Sequence, residues 1–317
     1  MAKPLVCDPA LFEQDLSAKT YIITGANSGI GLVTARQLAK QGAQVVLACR
    51  RTDEAEACIA AIVAELPKAR LEALRLDLGD LASVRSFASE FQTRHKRLDG
   101  LVNNAGVMNT PEGKTKDGFE VQFGVNHLGH FLLTGLLLDV LKRSAPSRIV
   151  CLSSCFHDKA MGREGDIHFD DLGYTERKYD GWDAYAQSKL ANLLHARELA
   201  KRLDGTGVTV ASVHPGWVRT ALIRNSMPVW VQDYLLRPFS RMIGLVEPWV
   251  GAQTSLFTLL DPDVPQHSGA YYSQTGEYRD KSKKGGGWPL ESPNPHAHDD
   301  EMAARLWQVS EEMVGLG

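Results

Sequence analysis

Five cysteines in 317 residues, at positions 7, 49, 58, 151 and 155, are too few and too scattered to cross-link a fold. Their number is odd and none sits at C-x-x-C spacing, which argues against a disulfide framework or a thiolate metal site and for free thiols in a reducing compartment. An excess of one charge is also lacking: the formal net charge is −3, so no broad basic field suggests nucleic acid as a partner. No uninterrupted apolar stretch opens the chain, because Asp8, Glu13 and Asp15 stand where a secretory signal would need one. The most apolar run, Leu128 to Leu141, reads as too short for a bilayer and carries His130 and Asp139, so no transmembrane segment is expected. Internal repeats, low-complexity tracts and linkers are absent as well. The expectation is a cytoplasmic α/β protein of one domain, since 44% hydrophobic residues suffice for one large core.

What is present alternates. Thr20 to Ile23 reads as a strand feeding a glycine-rich turn, and Leu32 to Gln41 follow at helical spacing. Further strands are expected at Val45–Cys49, Leu71–Leu76, Leu101–Val102, Arg148–Ser153 and Val208–Val213. Between them lie helices at Asp53–Glu65, Ser83–His95 and Phe119–Arg143, and one that carries Tyr185 and Lys189. Strands separated by helices imply right-handed crossovers and a doubly wound parallel sheet with helices on both faces. Residues 158–182 and 225–247 read as insertions, Gly276 to Pro295 as loop, and Asp299 to Val314 as a closing helix capped by Asp299.

The turn Thr24-Gly25-Ala26-Asn27-Ser28-Gly29-Ile30-Gly31 has physical reasons for its glycines: a tight turn, close approach of backbone to a pyrophosphate, and close packing of helix on strand. Amides from Ser28 onward at the helix start would face phosphates. At the end of the second strand, where an acidic residue would grip the ribose of NAD, the chain has Arg50 and Arg51. Guanidinium pairs with a 2′-phosphate that a carboxylate would repel, so NADP(H) is the expected cofactor, with Arg50 its main contact. Asp77, with Leu78 beside it, is placed for the adenine edge, and Asn103-Asn104-Ala105-Gly106 follows the fourth strand.

Tyr185 and Lys189 stand four residues apart and so share a helix face. A free phenol titrates near 10, and the Lys189 ammonium, together with the positive nicotinamide of an oxidised cofactor, would lower that value toward easy proton exchange. Ser153 and Ser154 end a strand nearby, and a serine hydroxyl there could orient a substrate oxygen. A Y-x-x-x-K pair alone usually marks an exposed helix face; the ordered set of motifs is what gives it meaning.

That set, Thr24-Gly25-x-x-x-Gly29-x-Gly31, Asn103-Asn104-Ala105-Gly106, Asn126, Ser154, Tyr185-x-x-x-Lys189 and Pro215-Gly216, resembles the short-chain dehydrogenase/reductase family over residues 18–260. The resemblance implies a Rossmann fold, with Tyr185 as proton donor or acceptor and Ser154, rather than Ser153, as the substrate-positioning residue. Lys189 would bind the nicotinamide ribose and lower the tyrosine pKa, and Asn126 would support a relay water. Pro215, Gly216 and Val218 would line the nicotinamide, and Thr220 would hold its carboxamide. Val125-Asn126-His127-Leu128-Gly129-His130-Phe131 and Ser188-Lys189-Leu190-Ala191-Asn192 are similar to the retinol dehydrogenase-like branch. That branch generally uses NADP(H) on lipophilic alcohols and aldehydes. The membrane-anchoring N-terminal helix common among retinol dehydrogenases is missing from this sequence, and the 158–182 insertion is long. A neighbouring branch, light-dependent protochlorophyllide reductase, usually has cysteine where this chain has Ala191, and Cys-Asn-Ala-Ala where it has residues 103–106.

The stretch 227–246 carries Trp230, Tyr234, Leu235, Leu236, Phe239, Met242 and Ile243, which suit a lid over a small lipophilic substrate. Packing in the core, a contact between subunits of a homo-oligomer, or a surface helix on a membrane with Arg237 and Arg241 at the head groups would use the same residues. His127, His130 and His214 lack carboxylate or thiolate neighbours at ligand spacing, so they read as structural rather than as metal ligands. Two function classes stay open: an NADP(H)-dependent oxidoreductase, and a dinucleotide-binding sensor or scaffold without turnover.

Overall fold

The structure is a computed structural model that describes residues 5–160, 162–218, 246–274 and 287–316. Thr20–Thr24 forms β1, Gly29–Lys40 α1, Gln44–Cys49 β2, Thr52–Glu65 α2, Arg70–Arg75 β3 and Leu81–Arg94 α3. Gly100–Asn103 is β4 and Ser147–Leu152 β5; a small hairpin, β6 (Lys159–Ala160) and β7 (Arg163–Glu164), precedes α6 (Gly181–Arg202) and β8 (Val208–His214). Pro248–Leu260 is α7, Tyr271–Ser273 β9, Gly287–Leu290 β10 and Asp300–Val314 α8.

The strands lie in the order β10-β9-β8-β5-β4-β1-β2-β3, all parallel except for β10 against β9. The chain winds outward from β1 through β2 to β3, then returns to place β4 on the other side of β1. Strand order reverses between β1 and β4, and ligands bind such sheets beyond the carboxyl ends of the strands at that point. Alternation along each strand divides the core. Ile22, Val46 and Ala48 face a layer holding Phe87 and Phe91 of α3, Leu190 of α6 and Leu306 of α8. Ile23, Val45 and Leu47 face Leu38 of α1 and Leu256 of α7 on the opposite side.

Three sequence expectations change. The helix expected from Phe119 begins at Val121, because the Glu120 carboxylate accepts hydrogen bonds from the amides of Gln122 and Phe123 at 2.9 and 2.7 Å. It runs as α4 (Val121–Phe123), a π-turn over Gly124–Leu128 and α5 (Gly129–Arg143). Counted whole, Val121–Arg143 spans 23 residues and is apolar enough to cross a bilayer, so the argument from shortness fails; 72% of its apolar window is instead buried inside the protein.

The second change is β10, inside the stretch expected to be loop. Its Gly287 pairs with Ser273 and its Leu290 with Tyr271, antiparallel. Glycine and Pro289 hid this strand, since proline is tolerated only on a sheet edge or at a bulge, and β10 is the edge. The sheet expected to be parallel therefore ends in an antiparallel strand. Third, the insertion before α6 is not featureless: it holds the β6–β7 hairpin and a loop knotted on Asp171, whose carboxylate accepts from the amides of Thr175 and Arg177 at 2.6 and 2.9 Å. The closing helix is as expected, with Asp299 capping the amide of Met302 at 2.9 Å and Leu306 buried.

Candidate active site

The glycine-rich turn connects β1 to α1 at the reversal of strand order. Gly25 and Gly29 have φ of +65° and +56°, a region where L-residues with side chains are strained. At Gly31 the constraint is contact: a Cβ would lie 2.6 Å from Asn104 Nδ2 and 2.9 Å from the Gly25 carbonyl oxygen. Ser28 is the N-cap of α1 and makes no capping bond with its side chain, which leaves the amides of Gly29, Ile30 and Gly31 to meet an anion. Asn27 is braced by its Nδ2 donating to Glu54 Oε2 at 2.8 Å.

A hydroxyl ties this turn to β4. Thr24 Oγ1 accepts the amides of Asn104 and Ala105, each at 2.9 Å, and Asn104 Nδ2 donates to the Thr24 carbonyl at 2.7 Å. On its other side Thr24 Oγ1 meets His130 Nε2 at 2.9 Å, and His130 Nδ1 meets the Asn126 carbonyl at 2.9 Å. The carbonyl only accepts, so His130 carries its proton on Nδ1 and takes the threonine proton on Nε2. Burial lowers the His130 pKa to about 4, which keeps that neutral form. Sequence reasoning filed His130 under structure without seeing that it joins the cofactor turn to the helix of Asn126.

Arg50 and Arg51 follow β2 and are exposed. Arg51 pairs with Glu54 at 2.5 Å, whereas Arg50 makes no ion pair among the described residues. Asp77, after β3, holds the Gly79 amide on Oδ1 at 3.0 Å, and Leu78 beside it is buried. Gly106 lies between the two halves of the site: a Cβ there would sit 3.0 Å from Asn126 Oδ1 and 3.6 Å from Lys189 Nζ. A cradle with free amides at one end, a guanidinium at its flank and a side-chain-free floor beside Lys189 fits a phosphorylated dinucleotide.

The helix α6 is started by Asp180, whose carboxylate accepts the amides of Trp182 and Asp183 at 3.0 and 3.1 Å. That start turns Tyr185 and Lys189 inward, where they are 3% and 4% exposed. The Ser154 hydroxyl accepts the Phe156 amide at 3.3 Å and lies near enough to Tyr185 to pull down the pKa of its phenol, while Ser153 Oγ donates to the Lys189 carbonyl at 2.7 Å. Asn126 lies in the π-turn, a feature common at functional sites. Its Oδ1 accepts the Val107 amide at 2.8 Å, and its Nδ2 donates to the Val107 carbonyl and to Ser188 Oγ, both at 2.9 Å. Ser188 in turn donates to the Tyr185 carbonyl at 2.8 Å, a link between Asn126 and the tyrosine that the sequence did not announce.

The electrostatics of the pair are dominated by burial. Lys189 Nζ donates to the Leu152 carbonyl at 3.0 Å and stands 5.6 Å from the centroid of the Tyr185 ring. Burial brings its pKa down to about 8. Among the protein's own groups, burial pushes the phenol's pKa well up, Ser154 pulls it down by less, and Cys155 adds to the rise. The ammonium is engaged by a backbone carbonyl, so desolvation of the phenolate wins.

Pro215, Gly216 and Val218 follow β8 at the same edge of the sheet. Gly216 has φ of +87°, and buried Val218 forms a bridge to Val246. Thr220 and residues 227–245 of the apolar segment lie outside the described residues.

Comparison with known proteins agrees with this geometry. The family described as short chain dehydrogenase matches residues 19–167. Retinol dehydrogenase 13 of Mus musculus is 44% identical over 303 residues, covering 95% of this chain and 85% of its own length. A solved but uncharacterised protein from Mycobacterium paratuberculosis superposes with a TM-score of 0.76 at 35% identity, covering 98% of both chains. The Pseudomonas aeruginosa RhlG/NADP active-site complex gives a TM-score of 0.67 at 25% identity, covering 86% of this chain and 99% of that one. The chain belongs to the short-chain dehydrogenase/reductase family, in its retinol dehydrogenase-like branch, and is an oxidoreductase acting on CH–OH or C=O groups with a nicotinamide dinucleotide.

Proposed function

We propose that the protein reduces lipophilic aldehydes or ketones with NADPH, and oxidises the corresponding alcohols in reverse, with Tyr185 as the general acid and base. The observation that carries this reading is the meeting of Tyr185 and Lys189, both buried one helical turn apart with Lys189 Nζ 5.6 Å from the tyrosine ring centroid, beside the open floor at Gly106. When bound, the reduced nicotinamide supplies the hydride that the carbonyl carbon receives. Ser154 donates a hydrogen bond to the carbonyl oxygen and holds it against Tyr185. Tyr185 gives its phenolic proton to that oxygen as negative charge develops there. Lys189 holds the ribose and, mostly charged below about pH 8, steadies the phenolate left behind. His130 and Asn126 keep the cofactor turn and the tyrosine helix in register through Thr24 and Ser188.

A phenol whose pKa is raised is fully protonated at neutral pH, the form that reduction requires. Reduction should therefore be flat from about pH 6 to 7.5, below the titration of Lys189 at about 8, whereas alcohol oxidation, which needs the phenolate, should climb about tenfold per pH unit over the same range. Initial rates in both directions across that range would check this, and parallel profiles would count against Tyr185 as the shared group. The reading as a whole is tested by NADPH consumption against a panel of aliphatic and aromatic aldehydes and ketones. Tight NADPH binding with no turnover of any of them would identify a sensor instead.

The guanidinium of Arg50, which makes no ion pair among the described residues, supports NADP(H) over NAD(H). Arg50→Asp should lower kcat/KM for NADPH by about 10–100-fold and leave NADH within about threefold, the loss of a charge-assisted phosphate contact. An unchanged ratio between the two cofactors would place the phosphate elsewhere.

A further inference from the structure

The helix α6 carries a buried amide that the proton chemistry does not use. Asn192 stands three residues after Lys189, on the same face of the helix. Its Nδ2 donates to the Leu152 carbonyl at 2.9 Å, the same oxygen that takes the Lys189 ammonium at 3.0 Å. A carbonyl only accepts, so the amide has to turn its NH2 group to Leu152. The register of the sheet is what leaves this oxygen to side chains. The Ser153 amide takes the Val213 carbonyl of β8 at 2.8 Å, and successive carbonyls of a strand point to opposite neighbours, so that of Leu152 points toward β4. There β4 has ended: its last pair is Asn103 opposite Cys151, one position earlier. Among the described residues the Leu152 carbonyl is the one hydrogen-bond acceptor of the ammonium, so its direction decides where Lys189 stands.

Asn192 is held in turn from beyond the site. Burial and His195 lower the His127 pKa, and Asn192 lies near enough to raise it in part. His127 follows Asn126 in the π-turn, and its Nε2 meets Ser310 Oγ of α8 at 2.8 Å. A buried polar row therefore runs from the closing helix to the lysine. A carbonyl oxygen has two lone pairs. With Asn192 on one of them, the Leu152 oxygen keeps its direction, and a partner, when ribose hydroxyls compete for the ammonium. Without Asn192, each shift of Lys189 toward a bound ribose would bare a buried acceptor and weaken binding. Resting on the reading that Lys189 holds the nicotinamide ribose, we propose that Asn192 is a positioning residue for Lys189, acting through the Leu152 carbonyl that the two side chains share.

The test compares the binding of NADPH with that of adenosine 2′,5′-bisphosphate, which keeps the adenine end of the cofactor and has no nicotinamide ribose. Calorimetric titration without substrate gives both dissociation constants. In Asn192→Leu, which has the same branched shape, Kd for NADPH should rise about 5–100-fold, the effect of leaving one buried acceptor without a partner, while Kd for the bisphosphate stays within about twofold. Asn192→Asp keeps shape and polarity but loses the N–H donor, and it should show the same one-sided loss, so the outcome does not hang on how leucine packs. In a Lys189→Met background, where no ammonium is left to place, Asn192→Leu should change NADPH binding no further. An unchanged Kd for NADPH in both Asn192 variants, equal weakening of both ligands, or an undiminished loss in the Lys189→Met background would overturn the positioning role. No turnover enters these measurements. The one-sided loss therefore supports the role even if the parent protein reduces no aldehyde, a result that would sink only the reductase reading.

Discussion

Replacing Tyr185 with phenylalanine should lower carbonyl reduction about 10²–10⁴-fold, the usual contribution of one positioned acid or base, while the affinity for NADPH stays within about threefold. The substitution removes one oxygen and almost no volume, and Tyr185 is buried against Phe156, so packing is kept. The Ser154 hydroxyl keeps the bond it accepts from the Phe156 amide at 3.3 Å. A fall in kcat with KM for NADPH held separates the chemical role from a structural one. Stopped-flow single turnovers with premixed NADPH and aldehyde would measure it, and a variant as fast as the parent would remove Tyr185 from the mechanism.

The second large effect concerns stability at acid pH. Five histidines, at 127, 130, 157, 195 and 214, are at most 5% exposed. Burial lowers every one: His130 and His157 to about 4, His195 and His214 to about 3, and His127 well below its ordinary value. These groups are neutral in the fold and charged once released below about pH 6.5. For a histidine whose folded pKa is depressed, the unfolded chain binds more protons, so stability falls as pH drops from about 6.5 toward the folded values near 4 and 3. Each group contributes at most about 1.4 kcal/mol per pH unit in that window. Several together rival the whole stability of a domain, roughly 5–15 kcal/mol. The chain should therefore be fully folded at pH 7 and unfold cooperatively before pH 4. Circular dichroism melts across that range would show Tm dropping steeply below pH 6; a Tm constant down to pH 4.5 would mean that the histidines are solvated or paired far better than their burial implies.

The parts of the site that could be read from the sequence are those fixed by local spacing. The glycines of the turn after β1 are dictated by backbone sign and close approach, and the interval between Tyr185 and Lys189 by the helical repeat, so both were visible without tertiary information. Other parts depend on distant segments meeting. His130 becomes informative only when α5 brings it to Thr24, and Phe156, Trp182 and Trp217 lie more than sixty positions apart end to end but stack in the fold. The π-turn at Gly124–Leu128 leaves no compositional mark, since a single extra residue in a helical turn keeps the apolar pattern. The strand β10 was masked by residues that ordinarily stop strands. A sequence shows the ammonium beside Tyr185 but neither the burial of the phenol nor the Leu152 carbonyl that engages the ammonium.

The most direct test of the account is a crystal structure of the protein with NADP+ bound. The pyrophosphate should lie on the amides of Gly29 to Gly31 and the 2′-phosphate against Arg50, with the C4 atom of the nicotinamide turned toward the Tyr185 hydroxyl across a gap wide enough for a carbonyl. A nicotinamide facing away from that hydroxyl, or a tyrosine closed off from it by packed side chains, would contradict the proposed chemistry.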